Sequence, residues 1–166
     1  MFREMRRKNQ QLPHEEALAI LDAATSGVLS VAGDDGYPYG VPITHVRAGN
    51  KLYFHCATSG HKLDALRSCD KACFTVIQQD ELHIDEWTTY FRSVVCFGRI
   101  RIIDEPDEMR AAHAIMGEHF MPGGAASYGP EMEGAVHRMV MLEFQIEHIT
   151  GKEAKELMAM RKHAQR

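Results

Sequence analysis

The chain lacks most of the short signatures that announce a nucleotide or hydrolytic site. No G-x-G-x-x-G follows a strand pattern and no G-x-x-x-x-G-K-[ST] occurs, which excludes a Rossmann or P-loop reading. Without G-x-S-x-G there is no nucleophile elbow of a serine hydrolase. Ten histidines are present, yet none stand at i, i+4 and there is no H-E-x-x-H. His113 and His119, six apart, fall on opposite faces of a helix, so no metal site is expected. The four cysteines, Cys56, Cys69, Cys73 and Cys96, form no C-x-x-C pair and read as core residues of a reducing compartment rather than as a disulfide framework.

A basic excess is also missing. Lys and Arg number 19 against 23 Asp and Glu, for a net charge of -4, which argues against nucleic acid as a partner. The only basic run is "REMRRK" at residues 3 to 8, read as a solvated N-terminal arm over residues 1–10. No segment approaches 18 apolar residues and no apolar stretch follows the N-terminal charges, so the expectation is a cytoplasmic protein with no membrane partner.

What is present suits an ordinary folded chain: 166 residues, 45% hydrophobic and 25% charged, enough for one domain over 1–166. "LPHEEALAILDAA" (12–24) predicts a helix, with Pro13 and two glutamates at its positive end and Ala17, Leu18, Leu21 and Ala24 on one face. Two strands follow around Gly33-Asp34-Asp35-Gly36, and Pro38 and Pro42 limit which edge of the second can pair. "RAGN" (47–50) reads as a turn and "KLYFHCA" as a third strand. A short helix over "SGHKLDALRSC" precedes a strand in "DKACFTVIQQD". Residues 88–104 are the longest β-like run, a strand buried through the middle of a sheet or barrel. Glu105-Pro106-Asp107 opens a helix, 120–130 is a Gly/Pro/Ser loop, 137–149 alternates as a last strand, and 152–166 is a charged C-terminal helix or tail. About six antiparallel strands with short helices between them predict a mainly β (α+β) fold, a small barrel that closes its own edges.

The chemically suggestive stretch is "YFHCATSGHKLDAL" (53–66). A strand running into a helix through Ser59 and Gly60 presents free backbone amides, Lys62 adds a charge, and His61 can donate a ring N–H or charge up. That is a phosphate clamp without a P-loop. On spacing alone the simpler reading is favoured, in which Ser59 caps the helix while His61 and Lys62 are solvated.

"GVLSVAGDDGYPYGVPITHV", "LYFHCATSGHKLDAL", "YFRSVVCFGRIRII" and "FQIEHITGKEAKE", in that order, resemble the FMN-binding split-barrel family related to pyridoxamine 5'-phosphate oxidase, nearest to its nitroimidazole-resistance, nitroreductase-like branch. The resemblance covers roughly residues 3–155. It implies a six-stranded antiparallel split β-barrel with short flanking helices, and a homodimer with FMN at the subunit interface. It places Pro42, Ile43 and Thr44 along the flavin ring and ribityl chain, His55 and Cys56 beside the flavin, Gly60, His61 and Lys62 at the phosphate, and Arg92 and Ser93 facing the flavin. It also implies an oxidoreductase reducing a small aromatic or nitro-type acceptor, with His55 as the residue contacting substrate and delivering a proton. The oxidases proper end in an Arg- and Trp-containing segment; this chain has no Trp after Trp87, which argues against pyridoxamine phosphate as substrate. The missing clamp leaves a non-catalytic flavin carrier or redox sensor as an alternative, and a haem-binding barrel with His45 or His55 as axial ligand as another. Trp87 reads as core or dimer interface, the loop at 122–130 either as a cover over a partner's site or as plain surface.

Overall fold

Strand-forming residues run unbroken from Thr88 to Ile103, and this strand becomes the centre of the fold. The computed structural model describes residues 1–123 and 138–164. The elements in chain order are α1 (His14–Ala23), β1 (Ser26–Ala32), β2 (Pro38–Thr44), β3 (Val46–Ala48), β4 (Lys51–Ala57), α2 (His61–Ser68), β5 (Lys71–His83), β6 (Thr88–Ile103), α3 (Pro106–Phe120), β7 (Met139–Glu153) and α4 (Lys155–Ala164). The strands form one antiparallel sheet in the order β2-β1-β5-β6-β7-β4-β3.

That order explains the closure. The two edge strands, β2 and β3, are consecutive in the chain and joined by His45 alone, so the sheet must curl until its edges meet there. His45 N–H donates to Thr25 O at 3.3 Å, and its Nε2 meets Leu21 O at 2.9 Å, which pins the corner to the end of α1. Beyond the corner β2 and β4 diverge without pairing, which is the split in the barrel. Pro38 and Pro42, four apart on β2, turn their missing donors to one side, the unpaired edge.

Inward-facing residues alternate along the strands and meet in a core around Phe54, Phe74 and Phe144, each fully buried, with Leu29, Val76, Val94, Cys96 and Leu142. Helix α1 contributes Ala17, Ile20 and Leu21 and α2 contributes Leu63, Ala65 and Leu66 to the same cluster. On the other face α3 covers Val46, Tyr53, Ile103 and Met141 with Ala112 and Met116, and α4 packs Leu157 on Tyr90. All four cysteines are free, and burial pushes the Cys96 thiol up to about 12.

The structure corrects two local expectations. Among the described residues there are seven strands rather than six: Arg47 and Ala48, read as turn, form the short strand β3 against β4, and the turn is confined to Gly49 and Asn50. The second strand does not run on to Val46, because His45 breaks it to make the corner. The N-terminal arm is not wholly solvated either. Gln10 is buried, Gln11 bridges Lys152 and Leu12 N–H donates to Gly151 O at 3.0 Å. The glycine-rich loop falls, from residue 124 onward, outside the described residues.

Candidate functional site

At the split, the end of β4 turns into α2 through Gly60, whose φ of 134° and ψ of 166° belong to a region open to glycine almost alone. Gly60, not Ser59, is the N-cap residue, and no side chain caps the helix. The amides of Leu63 and Asp64 donate back to Gly60 O at 2.9 and 3.3 Å, whereas those of His61 and Lys62 find no acceptor among the described residues. Two free donors therefore point out of the positive end of α2.

The two cationic candidates beside them differ. His61 is engaged: its ring stacks on Tyr39 with centroids 4.2 Å apart, and its Nε2 lies 3.3 Å from Asp34 Oδ2 in the β1–β2 turn. Lys62 has no carboxylate partner among the described residues and is half-buried. It lies close enough to Cys56 to work against the rise that burial imposes on that thiol. The sequence reading placed Asp34 only in the β1–β2 turn and gave Tyr39 no role; that this hairpin reaches α2 is decided by the fold.

Alternation along the strands sorts the remaining candidates. On β2, Pro42 is exposed while Ile43 packs on the core and Thr44 ends the strand beside the split. On β4, Cys56 points inward and His55 outward. His55 shares that outer face with His113 of α3, whose ring is held below its ordinary pKa by burial and then by His55; the Nε2 of His113 is buried without a partner among the described residues. Arg92 and Ser93 are neighbours on β6 and so face opposite sides. Arg92 lies 3.6 Å from the carboxylate of Glu153, which is fully buried and also takes Arg161 at 2.6 Å. Thr44 pairs in register with Ser26 on β1, and Ser93 with Ile77 on β5, so they stand three strands apart around the barrel, about 14 Å at ~4.8 Å per strand. One chain thus holds two patches: Pro42 to Thr44, Cys56 and Gly60 to Lys62 at the split, and Arg92 with Ser93 elsewhere on the wall.

His45 is in neither patch. It is 1% exposed, set against Phe74, with Nε2 committed to Leu21 and Nδ1 buried without a partner among the described residues. As folded it offers no nitrogen to an external ligand, which removes it as a haem ligand. Among the described residues no three His, Cys, Asp or Glu side chains converge as a metal site, and no helix is long and apolar enough to cross a membrane.

The sequence profile of the pyridoxamine 5'-phosphate oxidase family matches residues 13–153. The chain belongs to that family. No curated protein matches it by sequence. Among solved structures, this family member is similar to a protein from Bacteroides thetaiotaomicron provisionally described as a 5-nitroimidazole antibiotic resistance protein, with TM-score 0.74, 23% identity and 86% of each chain covered. A flavocytochrome from Azotobacter vinelandii gives TM-score 0.78 at 22% identity, covering 92% of this chain and 72% of that one. An FAD and heme binding protein from Mycobacterium smegmatis gives TM-score 0.73 at 22% identity, covering 88% and 74%. At these identities the likeness is one of fold, and it agrees with the split barrel described above.

Proposed function

We propose that the protein is an FMN-binding oxidoreductase, a homodimer that passes a hydride or electrons from a reduced nicotinamide or another donor to a small aromatic or nitro-type acceptor. The observation that carries the proposal is the start of α2: two amides and the ammonium of Lys62 that have no partner among the described residues, set beside a split between strands in a family of flavin-binding proteins. These donors suit a terminal phosphate, since a helix N-terminus and a lysine act on it together. Two of the structural neighbours are themselves described as a flavocytochrome and an FAD-binding protein.

Flavin supplies the redox chemistry; the chain binds it, orients it and excludes competing reactions. Lys62 and the amides of His61 and Lys62 hold the phosphate, with the His61 ring kept in place by Tyr39 and Asp34. The unpaired edge of β2 at Pro42 to Thr44 follows the ring and ribityl chain, with the backbone of Cys56 at its side. Substrate contact and proton delivery fall to His55, the exposed histidine at the end of β4. The two separate patches are the reason for a dimer, in which Arg92 and Ser93 of one subunit complete the split of the other.

Absorbance and fluorescence titration with FMN test this directly. Lys62→Ala is expected to weaken FMN at least tenfold, about 1.4 kcal/mol, and His61→Ala less, since its ring is already spent on Asp34 and Tyr39. Absence of any flavin signal, with or without added FMN, overturns the proposal. A Soret band in place of flavin bands transfers the reading to a haem protein with His55 as ligand. Flavin bound without turnover with any reduced nicotinamide leaves a carrier or sensor.

A further inference from the structure

The N-terminal arm and α4 flank an open surface groove of about 520 Å³, within the size range of small-molecule sites. Four cationic side chains line it, Arg6, Arg7, Lys8 and Lys155, in a chain whose net charge is -4. Such a concentration of one sign is only partly neutralised locally. Lys8 pairs with Glu4 at 2.5 Å and Lys155 with Glu156 at 3.5 Å, but Arg6 and Arg7 have no carboxylate partner among the described residues. Arg7 has only a long contact, 3.4 Å, to Gln10 Oε1.

The groove has fixed walls. Gln10 is buried, Gln11 pairs with Lys152 of β7 and Leu12 bonds to Gly151, so the arm is stitched to the barrel directly behind the arginines. Across the groove α4 is anchored by Arg161 on the buried Glu153, and Met158 offers an apolar surface beside the cations. A free guanidinium pair suits phosphate oxygens, and an apolar wall suits a planar base.

Its position adds a direction. Lys152, which pairs with Gln11 on one side, pairs with Ser93 of β6 on the other. Gln11, the residue after the last one of the arm to line the groove, therefore stands about 10 Å, two strand spacings, from a residue assigned above to the flavin.

We propose that this groove binds the phosphate-bearing adenylyl half of a dinucleotide whose redox half reaches the flavin site. Arg6 and Arg7 take the phosphates and Met158 packs on the base. The link to the redox half rests on the function proposed above; the groove's affinity for an adenosine diphosphate does not. FAD and a reduced nicotinamide dinucleotide share this chemistry. Nucleic acid does not fit as well, because the positive charge is confined to one groove and does not continue as a stripe.

Calorimetric titration of the whole protein with ADP tests the groove, using Arg6→Ala/Arg7→Ala at two exposed positions, with an unchanged melting temperature as the control that the variant folds. The expected result is ADP binding that weakens with salt and falls at least tenfold in the double variant, while FMN affinity is retained. Lys62→Ala is expected to show the converse, so the two proposals fail separately. Parallel titrations identify the source: a tenfold loss for FAD with none for FMN indicates the flavin dinucleotide, and a tenfold rise in the KM for NADPH indicates the donor. No ADP binding, equal binding by the double variant, unchanged affinity for both dinucleotides, or tighter binding of a single-stranded oligonucleotide than of ADP each overturns the inference.

Discussion

His45 illustrates how far a side chain's surroundings redirect its chemistry. In the sequence it is one titratable residue in an apolar stretch; in the fold it closes the barrel, and burial holds it below its ordinary pKa against the opposing hydrogen bond with Leu21. His113 is lowered in the same direction, by burial and then by His55. Both bind a proton more readily in the unfolded chain, whose histidines titrate near 6.5. Their contribution to stability is therefore complete above that pH and declines as pH falls through it toward the lower folded-state values. Urea midpoints measured from pH 7.5 down to pH 5 should fall, and His45→Gln should flatten the decline. A slope unchanged by that substitution would remove His45 as its source. A histidine's charge type is evident from sequence, but which of ten is sealed in the core depends on strands that are distant in the chain.

At the scale of elements the agreement between pattern and structure follows the strength of the local signal. The helix expected over 12–24 forms at His14–Ala23, the run at 88–104 becomes β6 at Thr88–Ile103, and Pro106 opens α3. Short elements escape because their existence depends on a neighbour: β3 is three residues long and exists only as a partner to β4. Gly98 is a similar case. It sits where the β6–β7 register shifts, and a Cβ there would lie 2.0 Å from Gln145 O. Backbone cannot yield as a side-chain tip can, so Gly98→Ala must push the central strands β6 and β7 apart. We expect a loss of at least about 2 kcal/mol in chemical denaturation; a loss below about 0.5 kcal/mol would show that the bulge relaxes freely. The local sequence marks this glycine as one inside a strand, consistent with a bulge, but the close approach of Gln145 comes from a strand distant in the chain.

For the whole molecule, the decisive feature is apolar surface that one chain leaves uncovered. Where β5 turns into β6, Ile77 is 68% exposed, Leu82 and Ile84 are each 72% exposed and Trp87 is 95% exposed. Trp87 is thus no part of this chain's core, leaving the interface reading as the proposal that accounts for it. If this arm packs on a second copy, light scattering should report a dimer at micromolar concentration. Leu82→Asp/Trp87→Asp should then weaken association at least tenfold, about 1.4 kcal/mol, and lower FMN affinity with it, since Arg92 and Ser93 lie farther along the same strand. A monomeric wild type would refute the shared site.

Local chemistry was enough to determine which long segments extend and which coil, because capping, periodicity and charge are properties of a few adjacent residues; at the join of β4 and α2 it left a phosphate clamp and a solvated helix start both open. The sequence also carried the resemblance that assigns the family. Only the tertiary structure decided that His61 is spent on Asp34 and Tyr39, that His45 is sealed inside, that His55 and Cys56 face opposite ways, and that the arm's arginines meet α4 in a groove. Each of those depends on strand register and barrel closure, in which residues far apart in the chain become neighbours through the summed pairing of the whole sheet.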